Sequence, residues 1–136
     1  MHGMSQAPNP YAFTCVAVPA YLPDQSDPAR DVYAFAYTVT ITNTGSVAAQ
    51  LISRHWIMTD QNGHADEIKG LGVIGQQPFL KPGQAFQYSS WTQLSTPHGT
   101  MRGAFFCVAE DGVRFEALVP SFALNAPDET AGRVLH

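Results

Sequence analysis

Gly70, Gly72 and Gly75 spell G-x-G-x-x-G within the run Gly70-Leu71-Gly72-Val73-Ile74-Gly75-Gln76-Gln77-Pro78. In a dinucleotide-binding fold this spacing lets a pyrophosphate approach a helix N-terminus, because the absent side chains leave backbone amides bare. The required context is missing. Gln76-Gln77-Pro78 follows at once, Pro82-Gly83 breaks the next stretch, and neither a crossover helix nor an acidic residue about 20 positions on is visible. No nicotinamide or other cofactor is expected. A weaker anion chemistry survives, in which the loop amides form a nest for phosphate or pyrophosphate, helped by Lys69, Lys81, Arg54 or Arg102. The competing use is structural, since glycines in sheets commonly permit bulges and tight bends.

Other reactive residue types form weaker patterns. His64, Asp66 and Glu67 bunch beside Asn62-Gly63 and are donor types for divalent metals, but Asp66 and Glu67 fall on opposite sides of a strand and leave any site under-coordinated. A solvated hairpin tip and no metal are expected there, and His98, in a Pro-Gly turn, reads as exposed. His2 and His136 stand at the ends of the chain and carry no reading. Cys15 and Cys107, 92 positions apart, are spaced neither as a redox pair nor as a metal knuckle and read as buried free thiols. No G-x-S-x-G elbow, reactive Cys or carboxylate pair on alternating strand positions is present, so no catalytic residue is assigned. Along one strand Arg54 and Trp56 share a face with Ile52 and Met58, and His55 lies opposite with Ser53 and Ile57. Trp56 reads as a core anchor, with Arg54 paired to a carboxylate or carbonyl near the sheet end.

These residues need strands to hold them. Val32 to Asn43 alternates, with Tyr33, Phe35, Tyr37, Val39 and Ile41 on one face and Ala34, Ala36, Thr38, Thr40 and Thr42 on the other. Thr44-Gly45-Ser46 turns the chain into a second strand, 48 to 60, and Asn62-Gly63 reverses that into 65 to 69 as a hairpin. Gly70 to Gln77 is a Gly-rich connection, and Pro82-Gly83 suits a type II turn leading into 84 to 92. Pro97-His98-Gly99 turns into 101 to 109, and Asp111-Gly112 closes a last hairpin onto 113 to 119. With an early strand over 12 to 18, the count is seven to eight antiparallel strands and no capped helix, an all-β sandwich. Residues 19 to 31 read as a mobile polar loop.

Composition bounds the rest. A chain of 136 residues with 45% hydrophobic and 13% charged residues suits one compact domain over 1–136, with its core over roughly 11–124 and loose ends. A formal charge of -4 with seven Lys and Arg gives no footprint for a phosphate backbone, so nucleic acid is not an expected partner. No run approaches a membrane span, and the polar start lacks a signal sequence, so no membrane contact and a cytoplasmic site are expected.

The glycine run resembles the signature of the ApaG family, and it follows Tyr33-Ala34-Phe35-Ala36-Tyr37-Thr38-Val39-Thr40-Ile41 and Arg54-His55-Trp56-Ile57-Met58-Thr59-Asp60 in the expected order. Leu80-Lys81-Pro82-Gly83, Tyr88-Ser89-Ser90, Thr96-Pro97-His98-Gly99-Thr100-Met101-Arg102-Gly103, Glu110-Asp111-Gly112, Pro120-Ser121-Phe122 and the terminal Leu135-His136 continue the likeness. It spans roughly residues 11 to 136. Trp91 departs from it, standing where family members often have Gly, and a large indole there is expected to cap a strand end. The resemblance implies a fibronectin type III-like sandwich and a genetic link to cobalt and magnesium homeostasis, and it brings no agreed reaction. The expected function is a non-catalytic module whose sheet edges and whose loops 70–77 and 97–99 contact another protein or a second copy of the chain. The alternative is a sensor that binds pyrophosphate or a nucleotide phosphate at the glycine loop, and hydrolysis of a phosphate ester or anhydride comes third.

Overall fold

A computed structural model describes residues 9–127 of the protein, and the expected loose ends, His2, Leu135 and His136 lie outside them. Eight strands follow one another: β1 (Phe13–Tyr21), β2 (Tyr33–Asn43), β3 (Ala49–Asp60), β4 (Ala65–Leu71), β5 (Phe79–Leu80), β6 (Ala85–Leu94), β7 (His98–Ala109) and β8 (Arg114–Asn125). They form two antiparallel sheets, one ordered β1-β2-β6, the other β4-β3-β7-β8 with β5 also paired to β3. The all-β sandwich expected from alternation, in the fibronectin type III-like form that the resemblance implied, is therefore the fold.

Alternation builds the core. In β2, Phe35, Tyr37, Val39 and Ile41 are buried, while Thr38, Thr40 and Thr42 face out, where β-branched side chains suit a pleated surface. Trp56 of β3 fills the centre, with its ring centroid 5.4 Å from Tyr37, 5.8 Å from Phe105 and 6.3 Å from Phe122. Gly103 on β7 makes room for it, because a Cβ there would stand 2.5 Å from Trp56 Cε3. Asn43, deeply buried, donates its amide to the carbonyls of Val47 and Leu80 and accepts from the Gly45 N–H, which ties the β2–β3 turn to β5. Cys15 and Cys107 are free, buried thiols, as their spacing suggested.

Several boundaries moved, each for a local reason. A bulge in β3 between Leu51 and Ser53 shifts the register by one, so Leu51 rather than Ile52 precedes Arg54, Trp56 and Met58 on the inner face. The expected polar loop 19–31 is shorter, because β1 continues through Pro19 to Tyr21 opposite Tyr37 and Phe35. Proline is tolerated there because β1 is an edge strand. The remainder folds into short 3-10 turns, Pro23–Gln25 and Pro28–Arg30, fastened by Ser26 Oγ, which donates to Leu22 O and accepts from the Ala34 N–H. His98 and Gly99 belong to β7 rather than to a turn, and β8 runs on to Asn125.

Candidate functional site

The glycine loop grows out of the β3–β4 hairpin. Gly70 is the β4 residue directly opposite Arg54, and both point to the inner side of the sheet at its edge. The Arg54 guanidinium lies flat over Gly70: a Cβ added there would meet Nη1 and Nη2 at 2.8 Å. From that position Nη1 donates to Leu71 O at 2.9 Å and Gly72 O at 3.0 Å. Arg54 thus fastens the start of the loop through carbonyls. Gly72, at φ +63, donates its N–H to Ile52 O at the bulge, and a Cβ there would stand 2.3 Å from Gln76 O. Val73 and Gln76 exchange both backbone bonds around Ile74 (φ 43) and Gly75 (φ 78), a tight reversal that needs positive φ at both central residues. Gln77 Nε2 then donates to Ile52 O, and Leu51 N–H donates to Pro78 O as the chain enters β5.

This arrangement decides what the loop can do. Gly70 sits in the strand ladder, and the amides of Gly72, Val73 and Gln76 already have carbonyl partners. An anion nest requires successive amides converging on one point, and these are spent on the protein itself. Of the cations expected beside the loop, Arg54 is bonded to it, and Lys69, which directly precedes Gly70 and pairs opposite His55, borders the depression that Gly70 and Leu71 also line. Arg102 is on the outer face of β7, opposite Ile57, and Lys81 follows β5, which pairs with Ala49 and Gln50 at the far end of β3.

On the outer face of the five-stranded sheet, two shallow depressions of about 360 and 400 Å³ share His55, Ala104 and Glu116. Lys69 borders the first and Arg102 the second. Small Ala104 makes the floor between longer side chains. His55 Nε2 meets Glu67 Oε2 at 2.5 Å, and this bond, with the nearby charges of Lys69 and Arg102, outweighs desolvation and holds the Glu67 carboxyl below its ordinary range. His64 lies 3.4 Å from Asp60 rather than grouping with Asp66 and Glu67, and the described residues hold no cluster of three or more His, Cys, Asp or Glu able to take a metal ion.

The second exposed surface is the outer face of β1-β2-β6, and it was not singled out by sequence reasoning. None of the residues in these three strands is Asp, Glu, Lys, Arg or His. Val16, Val18 and Trp91 stand on it at 56%, 62% and 61% exposure, over a floor of Ala20, Ala36, Thr38 and Thr40. Trp91 does not cap a strand end: it projects from within β6, opposite Ala36. Beyond it lies the open edge of β6. The signal available in sequence was the lack of charge in all three strands, and the topology that joins them was not readable.

A family model described as the ApaG domain matches residues 23–109. The chain is 56% identical over 126 residues to Protein ApaG of Ralstonia nicotianae, covering 93% of this chain and 98% of that protein. It is 60% identical over 124 residues to Protein ApaG of an Acidovorax species, covering 87% and 90%. Among solved structures, the ApaA protein of Bordetella pertussis superposes with a TM-score of 0.86 at 53% identity, covering 89% of this chain and 98% of that one. A structural-genomics X-ray structure designated SoR45 gives 0.80 at 42% identity, covering 85% and 88%.

Proposed function

The chain belongs to the ApaG family, and from that premise we propose that it is a non-catalytic module that works by binding protein. The observation that carries the reading is the charge-free outer face of β1-β2-β6, with Val16, Val18 and Trp91 exposed on it and the open edge of β6 at its margin. Single exposed apolar residues are ordinary, but an uncharged sheet face that ends on a free strand edge is the surface a protein partner uses. A chain of net charge -4 that keeps all its charges off one sheet leaves that sheet free of the desolvation cost that buried ions impose.

The link to cobalt and magnesium homeostasis that the family resemblance implies would then run through the partner. No helix among the described residues is long and apolar enough to cross a membrane. The competing reading, a pyrophosphate or nucleotide-phosphate sensor at Gly70, Gly72 and Gly75 with Arg54, Lys81 and Arg102, has less support. It would need the amides of Gly70 and Gly72, which the protein already uses, and Lys81 and Arg102, which lie apart from the loop.

A photo-crosslinking amino acid placed at Val18 or at Trp91, with a control at Asp24, tests the module in living cells of the source organism. Discrete adducts at Val18 and Trp91 that are absent at Asp24 are expected. Equal labelling at all three positions, or none at any, would sink the reading.

A further inference from the structure

We infer that the β6 edge is a docking strand for a second copy of this chain, giving a two-fold dimer with one continuous six-stranded sheet. This rests on the interaction-module reading and names the partner of its exposed sheet.

The other three long edges carry features that discourage strand pairing. β4 holds Asp66, Glu67 and Lys69, and β8 holds Arg114, Glu116, Pro120 and a bulge. β1 holds Pro19 and packs against β8 across the sandwich. Natural sheets use charge, proline, bulges and cover to block edge pairing, and among the described residues β6 has none of them. All ten residues of β6, Ala85 to Leu94, pair with β2 in unbroken register.

The register also says which backbone groups are free. Asn43 N–H donates to Gln84 O, so the residues of β6 that bond β2 are the even ones, and the alternation of an antiparallel ladder turns the N–H and C=O of Ala85, Gln87, Ser89, Trp91 and Gln93 to the open side. All five residues are exposed. Two of their side chains fold back onto their own sheet, Gln87 Nε2 to Thr40 Oγ1 and Ser89 Oγ to Thr38 Oγ1, both at 2.8 Å, and leave the edge unobstructed.

A second copy fits this edge better than a foreign peptide does. Peptide strands added to an edge gain affinity from main-chain bonds and specificity from side-chain pockets, and none of the depressions described above is lined by β6. An identical strand needs no pocket. With Ser89 on the two-fold axis, Ala85 faces Gln93 of the second copy, Gln87 faces Trp91, and Ser89 faces Ser89, so all five open residues of each strand are used at once. Charge points the same way. Each copy carries -4, and this edge belongs to a sheet with no charge to repel its equal. An edge of nine residues is about 30 Å long, and an interface built on it falls below about 1,200 Å² in total, in the class of weak, reversible pairs.

Sedimentation velocity on the full chain, from roughly 1 µM to 1 mM, is expected to show the weight-average mass rising from one chain toward two. Ser89→Lys, which opposes two ammonium groups on the axis, and Ser89→Pro, which removes an outward N–H without touching the β2 ladder, should each raise the dissociation constant at least about tenfold. Leu118→Lys, exposed on β8 of the other sheet, should leave it unchanged. Hydrogen exchange on the unmodified chain gives a readout free of folding artefacts: amides at Gln87, Ser89 and Trp91 should slow with concentration, and those of β4 should not. A monomer across the whole range, or association untouched by both Ser89 variants, would overturn the inference. Discrete adducts to a different protein at Val18 would still uphold the interaction module, so the two failures are distinguishable.

Discussion

Gly70→Ala tests whether Arg54 is a structural fastener. The Gly70 backbone is extended, so alanine is conformationally acceptable there, and on entropy alone the change should stabilise by about 0.5–1 kcal/mol. The obstacle is contact: the new methyl would lie 2.8 Å from two guanidinium nitrogens and 2.9 Å from Cζ. Arg54 must swing away and give up its bonds to Leu71 O and Gly72 O. Hydrogen bonds from a charged donor contribute about 1.5–3 kcal/mol each, and the exposed one to Leu71 counts for about half. Net of the entropic gain, the loss is about 2–3 kcal/mol, or about 6–12 °C in Tm for a chain of this size. The assay is urea unfolding of Gly70→Ala, Arg54→Ala and the double variant, with the m-value used to confirm that the unfolding transition is unchanged. With Arg54 already gone, Gly70→Ala should cost nothing or stabilise slightly, so the coupling should nearly equal the single-variant loss. Costs that add within about 0.5 kcal/mol would refute the guanidinium contact.

Calorimetric titration of pyrophosphate, with or without magnesium or cobalt, is expected to show no saturable heat at up to about 1 mM ligand, a limit of about 4 kcal/mol of binding. Micromolar binding abolished by Gly72→Val in a folded variant would return the loop to the list of ligand sites. Burial pushes the thiols of Cys15 and Cys107 up to about 12, so both should resist a thiol-specific chromogenic reagent at pH 8 in the folded protein and react together once it is unfolded. Rapid titration of one thiol in the native chain would contradict the packing around it. Burial works to raise Asp60, but the N–H groups of His64 and Asn62 and the His64 ring outweigh it, and Tyr11 Oη donating at 2.6 Å lowers Asp111. Both carboxyls therefore sit below 3.8 when folded, and Glu67 sits below 4.5. Their contribution is complete above those ordinary values and is lost as pH falls through the folded ones. Tm should be flat from about pH 7 to 5 and fall below about pH 4, with a shallower fall in Asp60→Asn.

Most of the architecture was legible because it is local. The alternation over 32–43, the reversal at Asn62-Gly63 and the turns at Pro82-Gly83 and Asp111-Gly112 depend on residues a few positions apart, and Gly63, Gly83 and Gly112 do take positive φ. The misjudged boundaries depended on partners elsewhere. Pro19 stays in β1 because that strand is an edge, and Ile52 leaves the inner face because it is the extra residue of the bulge where β3 pairs with β7. Arg54 was expected to meet a carboxylate or carbonyl, and it meets two carbonyls.

The glycine run shows why a motif needs its surroundings. Of its three glycines, Gly70 is required by a side chain on the neighbouring strand, Gly72 by the carbonyl of Gln76, and Gly75 by the φ of a tight reversal, so the G-x-G-x-x-G spacing follows from three unrelated demands. The outer face of β1-β2-β6 carries no motif. Its strands are separated in sequence by polar turns and by the whole β3–β5 segment, and any of β1, β4, β6 or β8 could have been an edge on sequence pattern alone. Only the strand order identifies β6 as an open edge. Once that is known, its freedom from charge, proline and bulges becomes informative, because the same composition in a central strand would mean nothing more than burial.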